Sequence, residues 1–555
     1  MIYSNFHPEV SYSSTLLTLW AVALAIMSCS AGNTIQGVTV LLLISVALSV
    51  PHGESRILFP LLFLSERLLG DVMSRNIPWL DFYASTVLSL LTLVTSHILN
   101  STAANFQISL RVVVEMLVLL ITVFLIFMDS AISVGAAIFV TTGFFFFLGL
   151  RALLGESEAV LVASIAGLHA GGEAVHRTDH SSLHVQQGSP EQGSSFSLAK
   201  AHIVSRFGIL CAIWLTIALY YASRFCFVVR FDNSKSCGRI IHVQRITCTF
   251  WLLFVATFAA GYMIASDEIK EDIFVWLWNY IFSSNFRVIT LICWLTLLPL
   301  TVLCVDLYTK WLSSIVRRKL FHFIAVMAFS PAALNDPEFL SFALSVATAL
   351  TTIVELARYY KVSGSTTLNS FLVQHIDGRD RIDGVVRTHI YLMYGLGLSM
   401  ILYYRHEHQE SKTQPSKTPL VNVAINIIPG IIGLGVADSC AAIVGSSFLL
   451  SYRRTLGRYL SNRLYTERAN ASITHKTTTG TLAGLIFGAL FWLLVLLVSD
   501  VPDRQNTLPS FFLIPICSLT ECFMDGVDNL QLPLVVYGAI NSVFALLLRD
   551  AGQTK

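Results

Sequence analysis

Long apolar segments recur along the whole chain and are separated by short polar stretches. A helix needs about 20 predominantly apolar residues to cross the roughly 30 Å of hydrocarbon in a bilayer. The pattern therefore predicts an all-α, polytopic integral membrane protein with about 13–16 transmembrane helices. The candidate spans are 14–30, 34–50, 55–70, 79–99, 108–128, 131–153, 206–229, 246–265, 287–305, 319–334, 338–357, 388–404, 420–450 (one span or two), 481–499, 508–524 and 531–548.

Composition agrees with this pattern and narrows it. Only 13% of the 555 residues are charged, against about 25% in soluble proteins. The net charge is +2 and no basic tract indicates nucleic-acid binding, while the ten cysteines are scattered without metal-ligand spacing. Residues 1–14 lack the basic region of a cleaved signal peptide, so the first span is expected to be retained.

The distribution of ionisable residues differs between the two halves of the chain. Residues 1–300 are predicted to form an N-terminal multi-span membrane region, interrupted near 170–199 by a flexible loop rich in Ser, Gly, Gln and His. A metal or regulatory role for the histidines of that loop is the alternative. In residues 301–555, ionisable groups concentrate at and inside the spans, which predicts a catalytic membrane domain. No internal repeat is visible, which disfavours a transporter built from duplicated halves.

Loop charge indicates orientation. Loop 451–476 carries six cations against the single acid Glu467, and residues 310–319 are also basic. Such an excess of positive charge in a short loop predicts the cytosolic side of the membrane.

Asp438 lies in an apolar segment rich in small residues, GLGVADSCAAIVGS. A carboxylate there is costly unless it meets a metal, a cation or water. The segment is read either as a metal or phosphate site or as a helix-packing segment whose Asp is paired with an Arg.

The sequence HKTTTGT begins at residue 475, directly before an apolar segment. Lys476 supplies a positive charge, Thr477 and Thr481 supply hydroxyl groups, and Gly480 lets the backbone approach an anion. Because a helix N-terminus attracts phosphate, the stretch predicts a nucleotide loop near 451–481. The alternative is a threonine N-cap beside a lysine that extends to the interface.

Four further groups of ionisable residues lie in or beside the predicted spans of residues 301–555. Glu521, Asp525 and Asp528 are spaced to share one helical face and could bind a hard divalent ion, or form a solvated acidic turn. Basic residues and a histidine open the span at 319–334, as an interfacial anchor or as part of a site. Downstream, Glu355 and Arg358 are three residues apart and are predicted to pair, and a loop with Asp377, Arg379, Asp380 and Asp383 precedes His389.

Taken in order, the motifs RKLFH, ELARYY, THIYL, GVADSCAAIVGS, KTTTGT and ECFMDGVDNLQLPL resemble those of the dolichol kinase family. That family lies within a wider group of integral-membrane, CTP-using kinases of polyprenols, phytol and diacylglycerol. The resemblance covers about residues 305–548. It implies an endoplasmic-reticulum enzyme that transfers the γ-phosphate of CTP to dolichol, giving the dolichyl phosphate used in protein glycosylation.

Residue by residue, the resemblance implies a nucleotide loop formed by Lys476, Thr477, Gly480 and Thr481. It also implies an Asp motif at Asp438, an acidic motif at Glu521, Asp528 and Asn529, and a basic signature at Arg318, Lys319 and His322. The family's loop commonly has Glu where this chain has Thr479.

From these residues and the resemblance, we predict a separate role for each group in the reaction. Phosphates of CTP would bind the 476–481 loop with help from the basic residues of 451–476 and from Arg318 and Lys319. Asp438, with Asp528 or Glu521, would hold Mg²⁺. Asp528, Asp380 or His322 would act as general base. The dolichol or polyprenol tail would lie among membrane lipids. The alternatives are a CTP-dependent kinase of another lipid alcohol and a membrane transporter.

Overall fold

A computed structural model of the chain describes residues 193–226, 236–309, 314–365, 384–410, 419–446, 478–499 and 510–523. It also describes isolated positions between 141 and 162, at 312 and 369, and between 529 and 540. The predicted spans before residue 131 lie outside the described residues.

The described elements are helices, which confirms the predicted fold class. They are α1 (Gly193–Cys226), α2 (Ser236–Ile269), α3 (Ile273–Phe282), α4 (Asn285–Tyr308), α5 (Ser314–Asn335), α6 (Pro337–Tyr359), α7 (Arg387–Glu410), α8 (Pro419–Ile427), the π-helix π1 (Ile428–Ala437), α9 (Thr478–Val498) and α10 (Leu513–Phe523). Residues 438–446 continue π1 as an α-helix.

Six helices within the described ranges are long and apolar enough to cross a membrane. They are Lys200–Ser223, Gln244–Ile269, Asn285–Val305, Pro337–Tyr359, Asn422–Ser446 and Thr479–Val498. Helices also lie at three other predicted spans, 319–334, 388–404 and 508–524, but they are not among the six that are long and apolar enough to cross a membrane. The first two carry charged residues within the helix, and α10, with 11 residues, is only about 16 Å long.

The short helix α3 was not predicted, because its ten mostly apolar residues cannot cross a bilayer alone. The Asp272 carboxylate caps it by accepting hydrogen bonds from the backbone N–H groups of Phe274 and Val275. Trp276 and Tyr280 are buried, whereas Trp278 is 64% exposed. An aromatic helix of this kind suits the membrane–water interface.

The start of α4 meets the connection between α5 and α6 at Arg287–Asp336, and the end of α6 meets the start of α7 at Glu355–Val386. Helices α4 to α7 therefore run in alternate directions, and the bundle has two ends. The first, here called the Lys319 end, joins Lys319 to Asp438 and Glu355 to Val386. The second, here called the Arg287 end, joins Arg287 to Asp336 and Lys200 to Glu271, each at 2.6 Å. The residues with predicted chemistry that the structure describes are therefore gathered at the Lys319 end.

The main core crosses the predicted boundary at residue 300. It combines residues of α1, such as Ile209 and Ile213, with residues of α5, α7, π1, α9 and α10. Gly208 of α1 also faces Ala349 of α6, whose Cβ would lie 3.9 Å from a Cβ at residue 208. Residues 193–199, predicted to belong to the flexible loop, form the first two turns of α1. The functional division of the chain stays a prediction.

Candidate active site at the Lys319 end

A buried ion pair lies at the centre of the Lys319 end. Lys319 Nζ of α5 lies 2.5 Å from Asp438 Oδ2, and the two side chains are only 8% and 4% exposed. Charges that are buried this deeply require a partner, because desolvation is costly for each ion. The sequence left open whether Asp438 meets a metal, water or a cation, with arginine as the expected cation. In the structure its partner is a cation, but it is a lysine rather than an arginine.

The helix leading to Asp438 explains how this pair forms. Residues Ile428–Ala437 are a ten-residue π-helix, a rare form that is frequent at functional sites. A Cβ at Gly435 would lie 2.3 Å from Val326 Cγ2 of α5, so only glycine permits this approach. Because α5 and π1 run in opposite directions, the close packing at Gly435 brings the long Lys319 side chain to Asp438.

His322 lies on the same face of α5, one turn after Lys319, and is 6% exposed. Its Nδ1 is 3.0 Å from the carbonyl oxygen of Arg318. A carbonyl can only accept a hydrogen bond, so Nδ1 carries the proton and Nε2 keeps its lone pair. Nε2 is buried and has no hydrogen-bond partner among the described residues. The ring is close enough to Lys319 and Asp438 to interact electrostatically with both.

The predicted nucleotide loop extended to residue 481, but α9 begins at Thr478, so the last four residues of the predicted loop form the first turn of this helix. Gly480 is buried in the first turn and Thr481 is partly exposed. One turn later, a Cβ at Gly484 would lie 2.9 Å from the carbonyl oxygen of Ala437 and 3.4 Å from Ser518 Oγ. The start of α9 thus packs against the residue that precedes Asp438. Lys476 and Thr477 lie outside the described residues.

Helix α10 brings a second carboxylate to this end. Glu521 is 7% exposed and follows Ser518, the α10 residue that faces Gly484, by three positions. Asn529 is also buried, and its Nδ2 donates to the carbonyl oxygen of Thr388 at 3.3 Å. Within the described ranges, no three His, Cys, Asp or Glu residues form a metal cluster. Asp528 and Asp525 fall outside those ranges.

A second buried ion pair lies at the same end. Arg358 donates to Glu355 through Nε (2.8 Å) and Nη2 (2.6 Å), which confirms the pairing predicted from their spacing. Arg358 also donates to the Asn369 side chain and to the carbonyl of Gly384, and Glu355 accepts from the N–H of Val386. The sequence pattern did not indicate these three contacts, because nothing in the spacing links α6 to residues 384–386. Asp380 lies outside the described residues.

The fold and these contacts define a class: a polytopic α-helical membrane protein with a buried site of paired charges at one end of its helix bundle. Cations and a histidine from α5, carboxylates from the π1 segment and α10, and the N-terminus of α9 converge there. Such a set suits an anionic, phosphate-bearing ligand.

Comparison with known proteins agrees with the resemblance carried by the motifs. The chain is similar to the dolichol kinases of Bos taurus and Homo sapiens, with 29% identity over 279 residues, or 48% of this chain and 47% of each relative. The dolichol kinase of Saccharomyces cerevisiae is 25% identical over 270 residues, covering 48% and 44%. The chain thus spans about half the length of the curated relatives it matches. No family model and no solved structure matches it.

Proposed function

We propose that the chain is a dolichol kinase of the endoplasmic-reticulum membrane, which transfers the γ-phosphate of CTP to the terminal hydroxyl of dolichol. The similarity to curated dolichol kinases supports the choice of reaction. The observation that carries the proposal is the convergence of Lys319, His322, Asp438, Glu521 and the start of α9 at one end of the bundle. These residues come from helices that are far apart in the sequence, and a shared ligand site accounts for their presence at the same end of the bundle.

The start of α9 would bind the phosphates of the nucleotide. The positive end of the helix dipole lies at the helix N-terminus and attracts anions. Gly480 and Thr481 belong to this first turn, and Lys476 and Thr477 directly precede it. Arg318 and the cations of loop 451–476 would add positive charge around the same phosphates.

The donor set fits a divalent cation such as Mg²⁺. This ion prefers oxygen ligands and commonly takes only one or two protein carboxylates together with nucleotide phosphates. Asp438 and Glu521 are buried carboxylates on neighbouring elements, and the proposed set adds Asp528. When bound, the ion would offset the negative charge that develops on the phosphates. Lys319 keeps the Asp438 carboxylate paired and fixed in position.

Phosphoryl transfer depends mainly on positioning and charge neutralisation. The hydroxyl oxygen of dolichol would attack the γ-phosphorus, and the bond from that phosphorus to the β–γ bridging oxygen would break, leaving its electron pair on CDP. His322 Nε2 is the best-supported acceptor of the hydroxyl proton, because it is buried, carries a lone pair and has no partner in the described part of the chain. Asp380 and Asp528 are the other candidates.

Reconstitution tests this function directly. Purified protein in liposomes would be given γ-labelled CTP or ATP together with dolichol or diacylglycerol. We expect label in dolichyl phosphate with CTP as donor. Label in diacylglycerol would identify a kinase of another lipid alcohol, and no transfer to any lipid would favour a transporter.

The site variant for this assay is Asp438→Asn, which we expect to abolish transfer because it removes a charged ligand. It also leaves Lys319 buried without an anion, so Asp438→Asn/Lys319→Met provides a neutral pair as a second variant. Folding of both would be followed by thermal unfolding in detergent. Full activity in either folded variant would contradict the proposed site.

A further inference from the structure

Glu355 and Arg358 form hydrogen bonds with residues outside their own helix, α6, as well as with each other. The two side chains are 5% and 4% exposed, and a buried ion pair of this kind is often no more stabilising than apolar residues of similar volume. We therefore interpret the pair by which chain segments it holds in place rather than by its contribution to the free energy of unfolding. Besides each other, the two residues bind Asn369, Gly384 and Val386.

These contacts fix the start of α7. Val386 directly precedes Arg387, the first residue of α7, and its N–H donates to Glu355 Oε1 at 2.5 Å. A carboxylate is stabilised at a helix N-terminus by the free N–H groups and the helix dipole. Arg358 holds the carbonyl of Gly384 in the same connection. The end of α6 and the beginning of α7 are thus joined through one guanidinium–carboxylate pair.

The first turns of α7 in turn support Asn529. The carbonyl of Thr388 accepts a hydrogen bond from Asn529 Nδ2. A Cβ at Gly395 would lie 2.0 Å from the backbone oxygen of Asn529, so the two backbones are in direct contact. A shift of α7 would therefore displace Asn529, which is the sequence neighbour of Asp528.

We infer that Glu355 and Arg358 are positioning residues for Asn529, acting through α7 and the Thr388–Asn529 hydrogen bond. The inference rests on the proposed function, in which Asn529 belongs to the acidic motif that supplies ligands to the divalent cation. Neither residue needs to touch the substrate. Groups that orient metal ligands typically change metal affinity or activity by about 10- to 100-fold when removed.

The test uses Arg358→Lys, which keeps the charge but loses the fork-shaped set of donors. In the reconstituted protein we expect the Mg²⁺ concentration for half-maximal transfer to rise by about 10-fold or more. Asn529→Ala should raise the same concentration. The double variant should be no worse than the more affected single variant, since both changes break one chain of contacts.

Arg287→Lys is the matched control. Arg287 forms an ion pair with Asp336 at 2.6 Å that is partly buried, with side chains 15% and 14% exposed, but at the opposite end of the bundle. We expect it to lower the unfolding temperature about as much as Arg358→Lys while leaving the Mg²⁺ dependence unchanged. Equal effects of the two variants on Mg²⁺ dependence, or additive effects of Arg358→Lys and Asn529→Ala, would overturn the inference.

Hydrogen exchange separates this inference from the proposed function. Arg358→Lys should speed amide exchange both in the first turns of α7 and in the peptide that contains Asn529, whereas Arg287→Lys should change neither. If the parent protein transfers no phosphate but exchange still spreads in this way, the positioning role stands and the kinase proposal fails. Faster exchange confined to residues 384–391 would overturn the positioning role.

Discussion

Three side chains at the Lys319 end divide the proposed chemistry between them. Asp438 is an anion that a membrane protein keeps buried only with a partner, and Lys319 is that partner at 2.5 Å. His322 differs because its Nε2 lacks a partner in the described part of the structure. A buried polar atom without a hydrogen bond is costly. A ligand hydroxyl that donates to Nε2 would remove this cost, which links His322 to substrate.

His322→Gln tests that link. Glutamine has a similar length and keeps an amide N–H that can donate to the Arg318 carbonyl, but it cannot accept a proton. We expect kcat for dolichol phosphorylation to fall by about 10²- to 10⁴-fold, with little change in KM for CTP.

The control for this substitution is His202→Gln, which changes a buried histidine of α1 near the Arg287 end. It should leave kcat unaltered. An unaltered kcat in His322→Gln itself would instead assign proton transfer to Asp380 or Asp528.

Among the helices, close packing at glycine determines which motifs meet. The approach of π1 to α7 requires Gly430, where a Cβ would lie 2.4 Å from the carbonyl oxygen of Leu396, and its approach to α5 requires Gly435. Gly484 has the same function between α9, the π1 segment and α10. Small residues commonly allow such contacts in membranes, where van der Waals packing drives helix association.

Gly484→Ala should therefore separate α9 from the Asp438 segment. The new methyl group would lie 2.9 Å from the carbonyl oxygen of Ala437, and overpacking of this kind costs about 1–3 kcal/mol. We expect a lower unfolding temperature and a higher KM for CTP.

Gly208→Ala is the matched control, because its Cβ would meet Ala349 at an ordinary 3.9 Å. Alanine is also the better helix former by about 1 kcal/mol, so this variant should be as stable as the parent or more stable. Equal behaviour of the two variants would contradict close packing at Gly484.

At the scale of the whole molecule, the alternating directions of α4 to α7 separate the Lys319 end from the Arg287 end, and the two ends would lie on opposite sides of a membrane. The Lys319 end carries Arg317, Arg318 and Lys319, and the strongly basic loop 451–476 precedes α9, which begins at this end. Excess positive charge in short loops is typical of the cytosolic side. The proposed site would then face the compartment that contains CTP.

Single cysteines can test this orientation. In a background in which all ten native cysteines are replaced by serine, Ser363→Cys marks the Lys319 end and Lys270→Cys marks the Arg287 end, and both positions are exposed. In sealed microsomes, a membrane-impermeant maleimide should label position 363 at once and position 270 only after permeabilisation. The reverse result would place the site in the lumen and contradict the use of cytosolic CTP.

Several features could be read from local patterns alone. Apolar segment length predicted the helices of the described spans, because crossing a bilayer forces the backbone to satisfy its own hydrogen bonds. The start of α9 near KTTTGT was predicted from the polar residues that precede an apolar segment. The Glu355–Arg358 pair was predicted from a spacing of three residues along one helix. The motifs themselves indicated the family that the curated relatives share.

What the sequence determined by itself was the membrane-spanning helical class, the candidate residues and the resemblance they carry, since each depends on residue type and short-range spacing. Only the tertiary structure decided that Lys319 is the partner of Asp438, that His322 Nε2 is buried with no partner among the residues the structure describes, and that Glu355 and Arg358 hold the start of α7. These contacts join residues as far as 119 positions apart. They depend on which helix faces lie together, and glycines such as Gly435 and Gly484 set that packing only once the helices meet.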